Sequence, residues 1–337
     1  MDKESLATVA SAIVAPGKGI LAADESTPTM GKRLALINQE NTEANRRDFR
    51  QALFDTESME HFISGVILFE ETLEQKSEDG TRLSNILESK GVYPGIKVDK
   101  GAHPMDDSPS EKITKGLDGL YERCIDFYKL GARFAKWRAV ITIGAKIPTD
   151  NCIQANASDL AKYAKACQDA NLVPIVEPEV LMDGNHTIQT CYEVSEKTLR
   201  TTFNELEKEG VYLPGILLKP NMVISGKECP VQADMNEVAQ MTVKCLMASV
   251  PKEVPGIVFL SGGQSETEAT EHLNAMNAMG EYPWKLSFSY GRALQQSALH
   301  SWAGDNANLD TTYATFYHRA EMNSKACHGE YSPELEI

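Results

Sequence analysis

The residue best placed to do chemistry is Lys219. The apolar run Gly215-Ile216-Leu217-Leu218 leads straight into it, and Pro220, which has no amide for a ladder, ends the predicted strand behind it. A lysine at a strand tip can be bland, its stem packed and its head in water. The rest of the sequence argues for more. Polar groups stand in or just after other apolar runs: Asp24, Glu70 and Glu71, Lys97 and Asp99, Lys136 and Arg138, Glu177 and Glu179, Ser261, Ser289 and Arg292. The period-2 alternation of a strand puts Lys97 with Asp99, Lys136 with Arg138, and Glu177 with Glu179 on common faces. Strand ends that simply emerge into solvent explain one or two of these. They do not explain Lys136, which sits among Phe134, Ala135, Trp137, Ala139 and Val140. An ammonium in that setting needs a carboxylate, and Glu177 and Glu179 are its expected partners.

Such a set suits covalent carbonyl chemistry. A lysine crowded by cations and shielded from water becomes an amine nucleophile. Nearby carboxylates then carry protons while a carbinolamine forms and dehydrates. The resulting imine is an electron sink, and making or breaking a C–C bond is what such a sink serves. Ser261-Gly262-Gly263 and Gly291-Arg292 read differently: glycines let backbone N–H groups approach an anion, and a helix start aims more of them at it. Lys97 with Ser26 could hold a second anion. The seven histidines are scattered without an H-x-x-H spacing, so no metal site and no cofactor are expected.

The elements that must position these residues alternate along the chain. Eight apolar runs, near residues 19–23, 62–69, 95–101, 134–141, 173–179, 215–219, 256–260 and 286–290, are separated by helical periodicities. Strands flanked by helices require a covered parallel sheet, and eight units predict an α/β fold of the (β/α)8 TIM-barrel type. A doubly wound sheet would carry a glycine fingerprint after its first strand, whereas Gly17-Lys18-Gly19 precedes it. No linker interrupts the pattern. A single domain over 1–337 is expected, with an N-terminal helix and a short tail from about 327 to 337. In a barrel all the charged tips meet on one rim, with an anion site in the last two units.

The chain has 337 residues and a net charge of −15, which speaks against a nucleic-acid surface. Its seven cysteines form no C-x-x-C pair and read as free thiols, Cys327 alone being expected to be exposed. Residues Met1–Glu4 lack the basic region and apolar run of a signal peptide, and no segment is long and apolar enough to enter a membrane. The expected compartment is the cytoplasm.

The stretches Leu21–Thr27, Ile96–Gly101, Lys136-Trp137-Arg138, Glu177–Leu181, Leu217–Asn221, Leu260–Ser265 and Phe288–Gln295, in register over nearly the whole chain, resemble class I fructose-bisphosphate aldolase, the metal-independent eukaryotic type. The resemblance implies roles. Lys219 would form the Schiff base, Glu177 would be the main acid/base, Asp24 would orient or deprotonate the C4 hydroxyl, and Lys136 would support charge. Glu179 would hold the lysines in a network. Ser261, Gly262 and Gly263 with Gly291 and Arg292 would take the C1 phosphate, Ser289 standing close by. Lys97 and Ser26, with Arg138 or Arg33, would take the C6 end, where Thr29 stands for the family's usual small residue.

The resemblance also implies a homotetramer, a slower reaction with fructose 1-phosphate, and partners of the actin or cytoskeletal kind. Family members continue into a mobile tail ending in a tyrosine that helps protonate the enamine. This sequence ends at Glu336-Ile337, and Tyr331 matches the body of the family. Either the tail is truly short or this sequence is incomplete; if it is short, cleavage is expected to survive while enamine protonation slows. Two rivals are a single-phosphate Schiff-base aldolase or transaldolase-like enzyme, and a scaffold that has kept the fold without the chemistry.

Overall fold

Eight short parallel strands close into a barrel in the computed structural model, which describes residues 1–336. They are β1 (Gly19–Ala23), β2 (Ile63–Leu68), β3 (Tyr93–Lys97), β4 (Phe134–Ile141), β5 (Val173–Val180), β6 (Leu217–Leu218), β7 (Gly256–Phe259) and β8 (Lys285–Tyr290). Each pairs with its predecessor, and β8 returns to β1 with Ile20 opposite Ser289 and Leu21 opposite Tyr290, so the ring has no edge. Helices cover the outside and side chains fill the inside, so both faces of a strand are dry. This is why β1 and β2 are continuous apolar or small-residue runs buried along their whole length. The expected (β/α)8 barrel is the architecture observed.

The end of the barrel where the strands begin is an apolar floor. Ile20, Ile67, Phe134, Val173, Ile175, Leu217 and Val258 meet Leu6, Ala10 and Ile13 of the helix Lys3–Ile13, which closes that end like a plug. One aromatic ring fits there because glycines face it. A Cβ on Gly95 would lie 2.2 Å from the Phe134 ring, and one on Gly65 would lie 2.9 Å from it. The missing methyls leave the hole into which the ring packs.

Three local features differ from expectation. The helix Glu43–Asp55 was not foreseen, because its inward face includes two arginines, Arg46 and Arg50, which spoil an apolar period. Both are compensated: Arg46 pairs with Glu71, and Arg50 donates to the Glu25 carbonyl and to Thr72. β3 ends at Lys97, short of Gly101, because the chain beyond Asp99 pairs with Lys115 and continues into a hairpin of Ala102–Pro104 with Lys112–Thr114. Cys327 is only partly exposed; its thiol lies 3.6 Å from Ser287 Oγ, and burial pushes it up to about 12. The other six cysteines are buried. Among the described residues no helix is long and apolar enough to cross a membrane. Tyr331 is buried near the C-terminal end, its hydroxyl donating to Glu336 Oε1 at 2.9 Å, and Ile337, where the expectation about the tail falls, lies outside the described residues.

Candidate active site

At the other end of the barrel the strands deliver their charged tips into one cavity of about 610 Å3. Lys219 follows the two-residue β6. Its amide donates to the Val176 carbonyl at 2.8 Å, so the residue is fixed to β5 although its own strand is short. Its Nζ lies 3.2 Å from Glu177 Oε1. The other Glu177 oxygen is 3.6 Å from Lys136 Nζ, which in turn lies 2.6 Å from Asp24 Oδ2. Amine, carboxylate, ammonium and carboxylate thus form a chain from β6 across the lumen to the end of β1. None of the four side chains is more than 13% exposed.

Burial alone would drive the Asp24 carboxyl upward. The ammonium groups of Lys136, Lys219 and Lys97 outweigh it and hold Asp24 at about 2. Burial likewise pulls Lys136 down, but Asp24, Glu177 and Asp99 prevail and keep it protonated well above the ordinary lysine range. The site therefore holds a fixed cation and a fixed anion beside Lys219.

The partner of Lys136 differs in part from the expectation: it is Asp24 with Glu177, and Glu179 pairs with Arg138. The register explains this. Lys136 lies opposite Ile175 and Arg138 opposite Glu177, so each cation reaches the carboxylate two residues further along β5. Glu179 is four residues beyond Ile175, about 13 Å along the strand and out of reach of Lys136. Glu179 therefore braces Arg138, whose guanidinium burial disfavours but the Glu179 carboxylate holds above its usual range.

The anion-binding candidates gather at two sides of the same cavity. Ser261 and Gly262 follow β7, and Gly291 precedes the helix Arg292–Trp302, whose first residue is Arg292. A Cβ on Gly262 would crowd Leu260 Cδ1 at 2.9 Å and Glu179 Oε1 at 3.2 Å. Gly263, with φ +80°, stands just outside the cavity wall. On the other side Lys97 donates to Asp99 at 2.7 Å, and the same carboxylate accepts from the Arg138 amide at 3.3 Å, so Arg138 belongs with Lys97. Arg33 does not: its Nη2 lies 3.7 Å from the Cβ position of Gly291, and it pairs with Glu25 at 3.1 Å. Ser26 Oγ contacts Thr29 Oγ1 at 3.1 Å on the cavity wall.

Every sequence-predicted site residue except Gly263 thus lines one cavity. Two further groups were not assigned a role from sequence. Asp99 ties Lys97, Arg138 and Gly101 together, and Glu25 lies among Arg33, Arg50 and Gln295. The doubled acid Asp24-Glu25 was the available signal for the second. Ser289 Oγ is buried in the cavity wall without a hydrogen-bond partner among the described residues, and Glu177 Oε2 has only its 3.6 Å contact with Lys136. The wall also carries seven lysines and arginines against six carboxylates, in a chain with 48 acidic and 33 basic residues. The cavity is a cationic island suited to an anionic carbonyl compound.

Comparison with known proteins agrees with this geometry. A family model described as "Glycolytic: Fructose-bisphosphate aldolase class-I" matches residues 5–336. The probable fructose-bisphosphate aldolase class 1 of Xanthomonas axonopodis pv. citri is 53% identical over 332 residues, covering 98% of this chain and 99% of that protein. The fructose-bisphosphate aldolase of Dictyostelium discoideum is 51% identical, over 98% and 94% of the two chains. The solved structure of the Plasmodium falciparum enzyme, in complex with TRAP and a small-molecule inhibitor, superposes with a TM-score of 0.97 at 51% identity, over 98% of this chain and 96% of that one.

Proposed function

The chain belongs to the class I fructose-bisphosphate aldolases, and on that premise we propose that Lys219 is the imine-forming amine of its reaction. The enzyme is a glycolytic lyase that reversibly cleaves fructose 1,6-bisphosphate to dihydroxyacetone phosphate and glyceraldehyde 3-phosphate. The observation that carries the residue assignment is the 3.2 Å contact between the buried Lys219 Nζ and Glu177, with Lys136 fixed as a cation on the far side of that carboxylate.

Lys219 first gives a proton to Glu177, 3.2 Å away, and its amine then attacks the C2 carbonyl of the ketose. Glu177 then gives its proton to the carbinolamine hydroxyl, which leaves as water as the nitrogen lone pair forms the iminium. Asp24, anionic throughout the working range, takes the C4 hydroxyl proton. The C3–C4 electron pair moves into the iminium, the aldehyde departs, and an enamine remains. A proton returns to C3, and hydrolysis by the reverse of the first steps frees Lys219. Lys136 stabilises the carboxylates at both stages.

Ser261, Gly262 and Gly263 with Gly291, Arg292 and the nearby Ser289 seat the C1 phosphate, and the position of Arg33 beside Gly291 adds it to that end. Lys97, Ser26 and Arg138 take the C6 end, with Glu179 bracing Arg138. The reading extends to a cytoplasmic homotetramer, which rests on family membership alone.

The deciding experiment is borohydride reduction in the presence of dihydroxyacetone phosphate, followed by intact mass and peptide mapping, with and without EDTA. The expected result is one adduct per chain on Lys219, indifferent to EDTA. No adduct, or an adduct on Lys136, would defeat the assignment.

A further inference from the structure

Next to the Ser261–Gly263 turn stands a cation that the mechanism above does not use. Residues 226–228 form a strap stitched to the loop after β5. Gly226 N donates to His186 O at 2.8 Å, Lys227 N to Met182 O at 2.9 Å and Glu228 N to Gly184 O at 2.9 Å. The strap cannot shift toward that loop, because even a Cβ on Gly226 would lie 2.3 Å from the Gly184 carbonyl. The backbone of Lys227 is therefore fixed, and its side chain lies over the turn: Lys227 Cε is 3.1 Å from the Cβ position of Gly263. The ammonium is one bond beyond that Cε.

Its only ion-pair partner among the described residues is Asp183, at 3.7 Å, and both side chains are well hydrated, at 48% and 63% exposed. Such a loose pair is worth little and exchanges readily for a stronger anion. A phosphate on the turn would be one: it carries close to two negative charges, and the turn itself offers only amide dipoles and the Ser261 hydroxyl. Lys227 reaches this turn from the strap after β6, whereas Arg292 opens the helix after β8.

We propose that Lys227 is a specificity-determining residue for the ketose phosphate, its ammonium leaving Asp183 to pair with the phosphate seated on Ser261–Gly263. The inference rests on the reading of that turn as the C1 phosphate seat. Its reach fits a lysine better than a short side chain, since the backbone is tethered and the contact with Gly263 is made at Cε. Because the contact is made equally to bound substrate and to the transition state, it acts on KM and leaves kcat alone.

The test is steady-state kinetics of Lys227→Met, Lys227→Arg and Asp183→Asn on fructose 1,6-bisphosphate and on fructose 1-phosphate at two salt concentrations. Lys227→Met is expected to raise KM about three- to tenfold for both sugars, with kcat retained and a weaker dependence of KM on salt. Lys227→Arg restores most of the loss, and Asp183→Asn, which releases the ammonium, lowers KM. A KM rise confined to the bisphosphate would overturn the proposal, because the cation would then serve the other end of the substrate. So would a fall in kcat at constant KM, which a merely structural strap residue would give. Ser261→Ala in parallel separates the two layers of the argument. If it raises KM while Lys227→Met does not, only the role of Lys227 fails; if neither does, the phosphate seat itself is elsewhere.

Discussion

At their beginnings β4 and β5 present Phe134, Val173 and Ile175 to Leu6 and Ile13 of the N-terminal helix; a few residues on, the same two strands present Lys136, Arg138, Glu177 and Glu179 to a cavity. The two regions use one backbone and one alternation, yet differ in what holds them. The floor is held by shape, with the Phe134 ring set into a glycine gap. The rim is held by charge, in diagonal pairs that each span a two-residue offset between β4 and β5. Dry charges are costly even when paired. A rim of this kind is stable only because the floor fixes the strands that carry it. Stability and chemistry are therefore separable by mutation along a single strand.

The sharpest separation is at Lys219. Lys219→Met should reduce turnover by about 10⁴-fold or more while the fold persists, since Glu177 keeps Lys136 as a partner; turnover within tenfold of wild type would collapse the distinction. Floor residues should behave in the opposite way. Phe134→Ala leaves a ring-sized cavity above Gly95 and should cost about 3–5 kcal/mol in denaturant unfolding, with kcat per folded molecule close to wild type.

Acid should separate the two regions without any mutation. Asp24 is held at about 2, below its usual 3.8, so its stabilising contribution is full above about pH 4 and is lost as pH falls through 2. That depression corresponds to about 2 kcal/mol. In acid unfolding, Asp24→Asn should flatten this limb, whereas Phe134→Ala should lower stability by the same amount at every pH. The smallest effect is expected at Glu179. Glu179→Gln loosens Arg138 and should raise KM for the bisphosphate a fewfold while changing fructose 1-phosphate little. An equal change for both sugars would place Arg138 with the other phosphate.

What the sequence disclosed follows the same division. The strand order and the charged tips were legible because each barrel strand is a short dry run ending in a polar residue. The partner of Lys136 was only half legible. Glu177 lies on the neighbouring strand, but Asp24 lies across the lumen, a distance that no local pattern encodes. The helix Glu43–Asp55 escaped because Arg46 and Arg50 turn inward, each matched by a carboxylate or hydroxyl that sequence spacing does not reveal. The hairpin at 102–114 escaped because its first strand is exposed throughout, without an apolar face to betray it. Arg33 went to the other side of the cavity because Glu25 draws it toward Gly291, a contact between the first and last strand units.

The ring closes through only two registered residue pairs between β1 and β8, and strands follow one another around it in chain order. Cut between β4 and β5, the gene would yield one fragment with Asp24, Lys97 and Lys136 and another with Glu177, Lys219 and Arg292. Each fragment would be chemically mute, the first lacking the amine and the second its cationic brace. Aldol turnover would then report the meeting of two polypeptides, which makes this barrel a natural split reporter whose signal cannot arise from either half alone.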